Sequence, residues 1–426
     1  MRQYDVYKDS GIPWIGQIPA HWECHRLGSF FHNRIEINSD LEFKKACKFN
    51  YGQIVPKNEV GNEDEYGESY AKYSKIEIGD IMINGLNLNY DFVSQRVALV
   101  PKEGIITSAY LALRPFQCTN SSYFCYLFKG MDGMKLFHGM GKGIRLTLSF
   151  DELKKQILPV PTSGEQEKIV AFLDAKTLKI DECICLRERE LQTLNELKQS
   201  RIASVVTRGL NPNVPMKDSE IPWIGQIPAH WKVCQLRKYL KLVSDKGHPE
   251  KQLLSITREQ GVIVRDLDDS EENHNFIPDD LSGYKLIRKG QFGINKMKAW
   301  QGSYGVSPFE GIVSPAYYVC ELTFPNKEYF SLAIRSKAYI GFFTQYSKGI
   351  RVGQWDLNPI ALKSIPFFEP PIEEQNEIVE FVKHKTSAID SMISSLNAEI
   401  EHLKEYKQSL ISDVVTGQIN VQDGII

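Results

Sequence analysis

The chain has 426 residues, which suggests two to four domains. Its hydrophobic content of 42% and charged content of 24% are typical of a soluble globular protein with an ample core. The formal net charge is −2, which excludes the overall positive charge that would mark the whole chain as a binder of nucleic acid.

Signals for export or membrane insertion are missing from the sequence. The amino-terminal segment MRQYDVYKDSG has no apolar core, so no signal peptide is expected. No stretch approaches the roughly 18 apolar residues of a membrane span. Eight cysteines are scattered without a C-x-x-C pair, which favours reduced thiols over disulfides or zinc. We therefore expect a cytoplasmic protein.

A segment near the amino terminus, called the arm below, occurs twice. Residues 8–22 read KDSGIPWIGQIPAHW and residues 217–231 read KDSEIPWIGQIPAHW, so 14 of 15 positions agree at an offset of 209. Repeated prolines exclude a regular helix or a central strand, and we predict an extended arm whose aromatic side chains dock in a groove. Packing is favoured over base stacking. The predicted partner-docking residues are Trp14, Trp22, Trp223 and Trp231.

A region of about 130 residues follows each arm, and here the two halves diverge. Residues 75–84 and 285–295 each read as strand, turn and strand, and residues 104–113 and 311–319 each read as one further strand. Short helices are expected within residues 121–137 and 328–343. Both regions are therefore predicted to be β-rich globules.

Each globule carries a polar loop at the same place, residues 84–96 in the first and 295–305 in the second. Arg, Lys, Asn and Gln are the side chains that read base edges in the major groove. An ordinary solvated loop explains any one of them, but two clusters at equivalent places favour DNA contact. The candidates are Asn84, Asn87, Tyr90, Gln95 and Arg96, and Lys296, Lys298, Trp300, Gln301 and Tyr304.

Each globule then ends in a glycine-rich basic loop, GMGKGIR at residues 139–145 and SKGIR at residues 347–351. The first lacks the Ser or Thr of a phosphate-binding loop for nucleotides. Lys or Arg beside Gly suits contacts to DNA phosphates, so the candidates are Lys142, Arg145, Lys348 and Arg351. Replacement of Arg145 or Arg351 by alanine is predicted to weaken DNA binding evenly across sequences.

Two long segments, residues 165–206 and 374–415, contain no Pro or Gly and match at the same offset of 209. Their apolar positions recur in steps of three, four or their sums, which predicts extended amphipathic helices of a coiled coil, each about 60 Å long. The predicted seam consists of Ile169, Leu173, Ile180, Cys183, Leu191, Leu194 and Ile202, and of Ile378, Val382, Ile389, Met392, Leu396, Leu403 and Leu410.

The order arm, globule, helix therefore occurs twice, which identifies a duplicated protein. The carboxyl-terminal VVTGQIN matches the VVTRGLN that leads into the second arm, so the chain end is expected beside the first arm. We predict an α+β fold of two β-rich mixed domains separated by two long antiparallel coiled-coil helices, with a pseudo-two-fold, cyclic repeat. The predicted boundaries are 1–161 and 211–369 for arm plus globule, and 162–210 and 370–426 for the helices and tail.

No reaction centre is recognisable in the sequence. Motifs of nucleotide hydrolysis, nucleophilic catalysis, zinc hydrolysis and base methylation are missing, and the nine histidines are dispersed. We therefore expect a non-catalytic chain without a metal site or a cofactor of its own.

The chain resembles the specificity subunit of type I restriction–modification enzymes. The arms, the GIVSPAYYV strand at residues 311–319, the KGIR loops, the Pro-then-EQ start of each long helix and the VVT endings carry this resemblance in order along the chain. The first globule departs from it, because residues 105–110 (IITSAY) match GIVSPAY only approximately.

The resemblance implies that each globule is a target-recognition domain for one half of a bipartite, asymmetric DNA sequence. It also implies that the helices set the spacing and dock two modification subunits, which use S-adenosylmethionine to methylate adenine at N6. Restriction subunits that use ATP and Mg²⁺ would join them. A DNA-binding or scaffold subunit of another defence or methylation system remains the alternative.

Overall fold

The structure is a computed structural model that describes residues 2–34, 36–57, 69–88, 95–143, 146–265, 278, 280–349 and 355–422. None of the helices in this part of the chain is long and apolar enough to cross a membrane. The chain divides into two compact units. Unit 1 comprises Met1–Glu188 with Ala398–Ile426, and unit 2 comprises Arg189–Asn397. Each unit thus combines one arm, one globule and one end of each long helix.

Unit 1 is built on antiparallel strands. They are β1 (Tyr7–Asp9), β2 (Gln17–Pro19), β3 (Glu23–Arg26), β4 (Phe31–Asn33), β5 (Cys47–Asn50), β6 (Gln53–Pro56), β7 (Tyr73–Ile76), β8 (Ile81–Ile83), β9 (Val97–Leu99), β10 (Gly104–Thr107), β11 (Leu111–Pro115) and β12 (Ile157–Val160). The main sheet has the order β4-β11-β8-β9, and the pairs β1-β2, β3-β12, β5-β6 and β7-β10 surround it. Two short helices, α1 (Ser121–Gly133) and α2 (Phe150–Leu153), complete the globule.

Unit 2 repeats this topology. Its strands are β13 (Met216–Asp218), β14 (Gln226–Pro228), β15 (Lys232–Gln235), β16 (Leu240–Val243), β17 (Leu254–Thr257), β18 (Gly261–Val264), β19 (Lys285–Ile287), β20 (Phe292–Ile294), β21 (Tyr304–Val306), β22 (Gly311–Val313), β23 (Tyr318–Leu322) and β24 (Pro366–Glu369). The main sheet has the order β16-β23-β20-β21. The long helices are α3 (Ser163–Arg208) and α7 (Ile372–Val415), and the globule of unit 2 contains α4 (Lys327–Ile334), α5 (Lys337–Tyr346) and α6 (Pro359–Ser364).

The segments predicted as single strands at residues 104–113 and 311–319 are in fact two strands each. A turn closed by the hydrogen bond from Tyr110 N to Thr107 O separates β10 from β11, and one from Tyr317 N to Ser314 O separates β22 from β23. In unit 1, β10 pairs with β7 whereas β11 pairs with β4 and β8. The turn therefore lets the chain leave one sheet and join the next, which an apolar run does not reveal.

Both arms form short β-hairpins at the edge of their units, β1-β2 and β13-β14. The turn of each hairpin ends in a glycine with positive φ, +76° at Gly16 and +70° at Gly225, a conformation that a side chain disfavours. The main-chain amides of Ser10 and Ser219 close these turns on the carbonyl oxygens of the two glycines. The predicted extended arm thus contains a short hairpin with prolines.

The two long helices pair in an antiparallel manner within each unit, because the residue numbers of the paired positions rise on one helix and fall on the other. The ion pairs are Asp181–Lys407 and Arg187–Glu399 in unit 1, and Lys198–Asp390 in unit 2. Asp181–Lys407 and Lys198–Asp390 are the same contact at an offset of 209. The antiparallel arrangement predicted from the repeat is confirmed.

The apolar seam of these helices differs from the prediction at one repeated position. Cys183 and Met392 were predicted to be in the seam, but both are exposed, Met392 by 55%, whereas Ile184 and Ile393 beside them are partly buried. Two adjacent apolar residues fit the heptad spacing almost equally well, and the branched isoleucine is the one that packs.

The carboxyl-terminal tail lies against the first arm, as the matching end sequences predicted. Asn420 N donates to Arg2 O at 2.9 Å, and the Tyr7 hydroxyl donates to Gly417 O at 3.0 Å. Gly417 has φ +77°, and a Cβ atom there would lie 2.3 Å from Pro19 Cδ. A glycine is therefore required where the tail meets the arm.

A carboxylate at the start of each long helix fastens the arm to the helix. In unit 1, Glu165 accepts hydrogen bonds from the Tyr4 hydroxyl at 2.6 Å and bonds His21 Nε2 at 2.9 Å. In unit 2, Glu374 bonds His230 Nε2 at 2.7 Å and accepts from Trp231 Nε1 at 3.0 Å. The repeated Glu at the helix start therefore has a structural reason.

The glutamine that follows caps the proline turn before each helix. Gln166 Nε2 donates to Pro161 O at 3.0 Å, and Gln375 Nε2 donates to Pro370 O at 2.8 Å. Each of these buried bonds fixes the direction in which the long helix leaves its globule. The Pro-then-EQ pattern thus has a structural role, since its residues join arm, globule and helix.

We predict that Glu165→Ala lowers the free energy of unfolding by about 2–3 kcal/mol, because it leaves the buried Tyr4 hydroxyl without its acceptor. Burial opposes ionisation of Glu165, but hydrogen bonds from Tyr4 and His21 outweigh it and lower the pKa of this carboxyl. Its stabilisation is present above pH 4.5, the ordinary value, and is lost as the pH falls through the lowered pKa.

Urea denaturation of the full chain at pH 7 and pH 4 measures this difference. Glu167→Ala is the matched control, because Glu167 is exposed two positions further along the same helix. The assignment is wrong if the two variants unfold at the same urea concentration at pH 7.

Candidate nucleic-acid interface

The polar loop of unit 1 contacts the residues that directly follow the glycine-rich basic loop, although 42 residues lie between the two loops in sequence. The bridge between Lys142 and Thr147 joins these residues to the basic loop. Leu148 N donates to Gly85 O at 2.9 Å, and Leu88 N donates to Leu146 O at 3.4 Å. The two loops follow β8 and α1, so the main sheet and its covering helix bring them to one end of the globule. They form one surface, which we call interface 1.

In unit 2 as well, the polar loop contacts residues that follow the glycine-rich basic loop, and the bridge between Lys348 and Asp356 joins these residues to the basic loop. Leu357 N donates to Lys296 O at 3.1 Å, and Lys296 Nζ lies 3.1 Å from Asp356 Oδ2. The rings of Trp300 and Trp355 are 5.1 Å apart. We call this surface interface 2. The structure thus joins the two kinds of candidate loop in both globules, and nothing in the local sequence required this.

Several candidate residues have side chains at the surface of these interfaces. In the first polar loop, Asn87 is exposed with φ +50°, and Gln95 is exposed directly before Arg96. Lys298 and Lys348 are exposed in interface 2. These four side chains offer amide and ammonium groups to solvent, which suits base-edge and phosphate contacts.

Other candidates are partly buried or paired. Asn84 uses its side-chain oxygen to accept from Leu86 N at 3.2 Å, which shapes the loop. Lys142 pairs with Glu152 at 2.8 Å but is 72% exposed, so the ammonium group can exchange this partner. Lys296, Trp300 and Gln301 are partly buried in interface 2.

Arg96 and Tyr304 were predicted to contact DNA, but their side chains are 0% exposed. The Arg96 guanidinium donates to the carbonyl oxygens of Asn84 and Leu86, both at 2.9 Å. The Tyr304 ring stacks on Phe343 at 3.9 Å between centroids. Arg96 therefore supports its loop from beneath, whereas Tyr304 belongs to the core of unit 2, and the prediction of direct contact is corrected for both.

Three further candidates, Tyr90, Arg145 and Arg351, lie outside the described residues, and the predictions made for them stand untested. Lys142 and Lys348 are the described members of the two glycine-rich basic loops. Within the described residues, no group of three or more His, Cys, Asp or Glu side chains could hold a metal ion.

The tryptophans of the arms were predicted to dock a partner. Trp22 and Trp231 are instead buried in the core of their own units, where Trp231 bonds Glu374 of α7. Trp14 is partly buried against the core of unit 1, and Trp223 is 46% exposed with its ring 5.0 Å from Phe342. Docking of a partner is therefore corrected for Trp22 and Trp231, which join arm to helix within the chain.

The sequence reasoning missed two features of interface 2. Trp355, which packs on Trp300, follows the KGIR motif closely and was not singled out. Lys246 and Lys285 face each other across an antiparallel bridge, and burial together with the charges of Lys246 and Lys296 lowers the pKa of Lys285. Lysines far apart in the sequence thus lie close enough to repel one another, which only the fold shows.

Comparisons with known proteins agree with this architecture. Two proteins of Methanocaldococcus jannaschii are 24% and 22% identical to the chain, over 96% of the chain in both cases and over 96% and 95% of their own lengths. The second is the type I restriction enzyme MjaVIII specificity subunit, and the first, MjaX, is described provisionally in the same terms. No protein-family model matches the chain.

Among solved structures, one chain from a study of complex assembly and conformational transition of the type I R-M system has the same fold. It superimposes with a TM-score of 0.63 at 14% identity, over 94% of this chain and 99% of that one. The two chains therefore share one fold over nearly their whole lengths. The resemblance inferred from the arms, loops and helices is confirmed: along its whole length the chain is similar to specificity subunits of type I restriction enzymes.

Proposed function

We propose that this chain is the DNA sequence-recognition subunit of a type I restriction–modification complex. The observation that carries the proposal is the contact, in both globules, between a polar loop and the segment that follows a glycine-rich basic loop. Each such surface combines side chains that read bases with side chains that bind phosphate. Each globule would read one half of a bipartite target.

The divergence of the two interfaces supports an asymmetric target. Interface 1 offers Asn87 and Gln95, whereas interface 2 offers Lys298, Lys348 and a pair of tryptophans. Different donors and acceptors select different base pairs. The arms and long helices are nearly repeated, so they suit two copies of one partner, and the two helices would set the gap between half-sites.

We further propose that the partners are two methyltransferase subunits, which bind S-adenosylmethionine and methylate adenine at N6, and restriction subunits that use ATP and Mg²⁺. This chain would then act in the cytoplasm as a non-catalytic subunit. The sequence supports this division of labour because it contains none of the motifs of methyl transfer or ATP hydrolysis.

The test is to co-express the chain with the methyltransferase subunit encoded beside it and to map methylated adenines across the host genome. We expect a bipartite motif with two different halves that disappears when the gene for this chain is deleted. Unchanged methylation, with the methyltransferase shown to be active, would contradict the proposal and leave the scaffold alternative.

A further inference from the structure

The first polar loop is held from beneath by one buried arginine. Arg96 lies directly before β9, and its guanidinium Nη1 donates to the carbonyl oxygens of Asn84 and Leu86, which flank Gly85. Asn84 N in turn donates to Arg96 O at 2.8 Å. The segment from the end of β8 to the exposed Asn87 is therefore bonded to Arg96 at three points.

Arg96 is itself fixed to the helix that covers the main sheet. Its main-chain N–H donates to Asp132 Oδ2 of α1 at 2.7 Å, and Asp132 is almost fully buried. Burial raises the pKa of Asp132 despite this hydrogen bond. Arg96 therefore fixes the position of the loop relative to α1, an element of the rigid globule.

Burial of a guanidinium is costly unless its donors are satisfied, so a fully buried arginine must have a specific structural use. Here the cation lies against two carbonyl dipoles within the loop that presents Asn87 to solvent. The same loop also bonds the segment that follows the glycine-rich basic loop, through Gly85 O and Leu148 N. A shift of Arg96 would move both loops of interface 1.

The second globule supports its polar loop without an equivalent arginine. The position before β21, equivalent to that of Arg96 before β9, is occupied by Ser303, whose main-chain oxygen accepts from Asn295 N at 3.0 Å. Its loop is instead supported by Thr344, which donates to Trp300 O at 3.0 Å. The arginine is therefore particular to the shape of interface 1.

We propose that Arg96 is a positioning residue that determines the base specificity at half-site 1, the half of the DNA target that the globule of unit 1 would read, without touching DNA. This rests on the proposed function, and it assigns to Arg96 the role of holding Asn87 and Gln95 at the distance and angle that base reading requires. Base contacts tolerate little displacement, because hydrogen bonds weaken steeply with poor geometry.

The test uses the complex of the full chain with its methyltransferase subunit and two DNA libraries, one randomised in half-site 1 and one in half-site 2. For Arg96→Met, which keeps an apolar stem but removes the donors, we expect the preference for the cognate half-site 1 to fall about tenfold or more. The preference at half-site 2 should stay as in the unmodified complex. Arg96→Lys keeps a buried cation and should restore part of the lost preference.

Lys102→Met is the matched control, because Lys102 is exposed beyond the other end of β9 and loses the same charge. It should leave both preferences unchanged. The proposal is overturned if Arg96→Met reads half-site 1 normally. It is also overturned if this variant binds all half-site 1 sequences more weakly by the same factor with a flatter salt dependence, since that is the signature of a phosphate contact.

The result for the unmodified complex separates a failure of this inference from a failure of the proposed function. If the unmodified complex has no bipartite target, the proposed function itself fails. If it has one and Arg96→Met behaves like the unmodified chain, only the role of Arg96 fails. If Arg96→Met does not fold, Arg96→Lys is compared with Lys102→Met in the same assay. A lower preference of Arg96→Lys for the cognate half-site 1 supports the proposal, and equal preferences of the two variants overturn it.

Discussion

A fragment that ends at Asn211 is expected to associate with itself and, with the methyltransferase subunit, to recognise an inverted repeat of half-site 1. Unit 1 of the intact chain is completed by Ala398–Ile426, and residues 189–211 are the repeat equivalents of residues 398–420. A second copy of the fragment can therefore supply the missing helix end and tail. The Asp181–Lys407 ion pair would become Asp181 with Lys198 of the second copy.

One substitution between the repeats limits this association. Leu410 is 2% exposed in the core of unit 1, and its equivalent in the fragment is Arg201, which is exposed in the intact chain. The dimer would have to accommodate Arg201 at a core position on both sides. We expect Arg201→Leu to tighten the dimer at least about a hundredfold, since burial of a leucine side chain contributes roughly 1.5–3 kcal/mol at each of two positions.

Sedimentation over a range of concentrations measures the dissociation constant of the fragment and of Arg201→Leu. Arg189→Leu is the matched control, because Arg189 and its equivalent Ala398 are both exposed. It should change the dissociation constant little. A fragment that stays monomeric even with Arg201→Leu would show that the second half contributes more than a repeated helix end.

The double variant Lys298→Glu with Lys348→Glu is expected to lower DNA affinity about a hundredfold near physiological salt. Both ammonium groups are exposed in interface 2, where two positive charges are replaced by two negative ones. Loss of the phosphate contact of Lys348 should reduce the slope of log affinity against log salt by about one. Loss of Lys298, a candidate for base reading, should in addition weaken the preference for cognate over non-cognate DNA.

Fluorescence anisotropy of labelled duplex DNA at several salt concentrations, with the assembled complex, checks this expectation. Lys385→Glu with Lys241→Glu is the control, since it makes the same charge change at exposed positions on α7 and β16 outside the interface. If the control pair lowers affinity as strongly, the effect is one of net charge, and interface 2 loses its assignment.

The architecture was predictable because the sequence repeats itself. Long helices were expected at residues 165–206 and 374–415 and are found at Ser163–Arg208 and Ile372–Val415. An uninterrupted apolar period over 40 residues leaves few alternatives to a paired helix. The seam was misplaced only at Cys183 and Met392, where an isoleucine follows directly and the spacing does not distinguish the two.

The sequence predicted which loops form the candidate site, but not which of their side chains lie at its surface. Polar residues in the right loops were recognised, yet Arg96 lies beneath the surface and Trp355 lies on it. Residue type suggests exposure, whereas the direction of a side chain depends on tertiary contacts such as those of Arg96 with Asn84 and Leu86. Sequence separation hid the meeting of the two loops for the same reason.

The placement of the tail has a genetic consequence. Leu410, Val414 and Val421 belong to the core of unit 1, not of the unit that precedes them in the chain. A premature stop codon just ahead of the codon for Leu410 would therefore damage the globule of unit 1, which is encoded in the first half of the sequence. The expected phenotype is loss of recognition of half-site 1. The globule of unit 2, which is encoded nearer to the stop codon, would keep its own core.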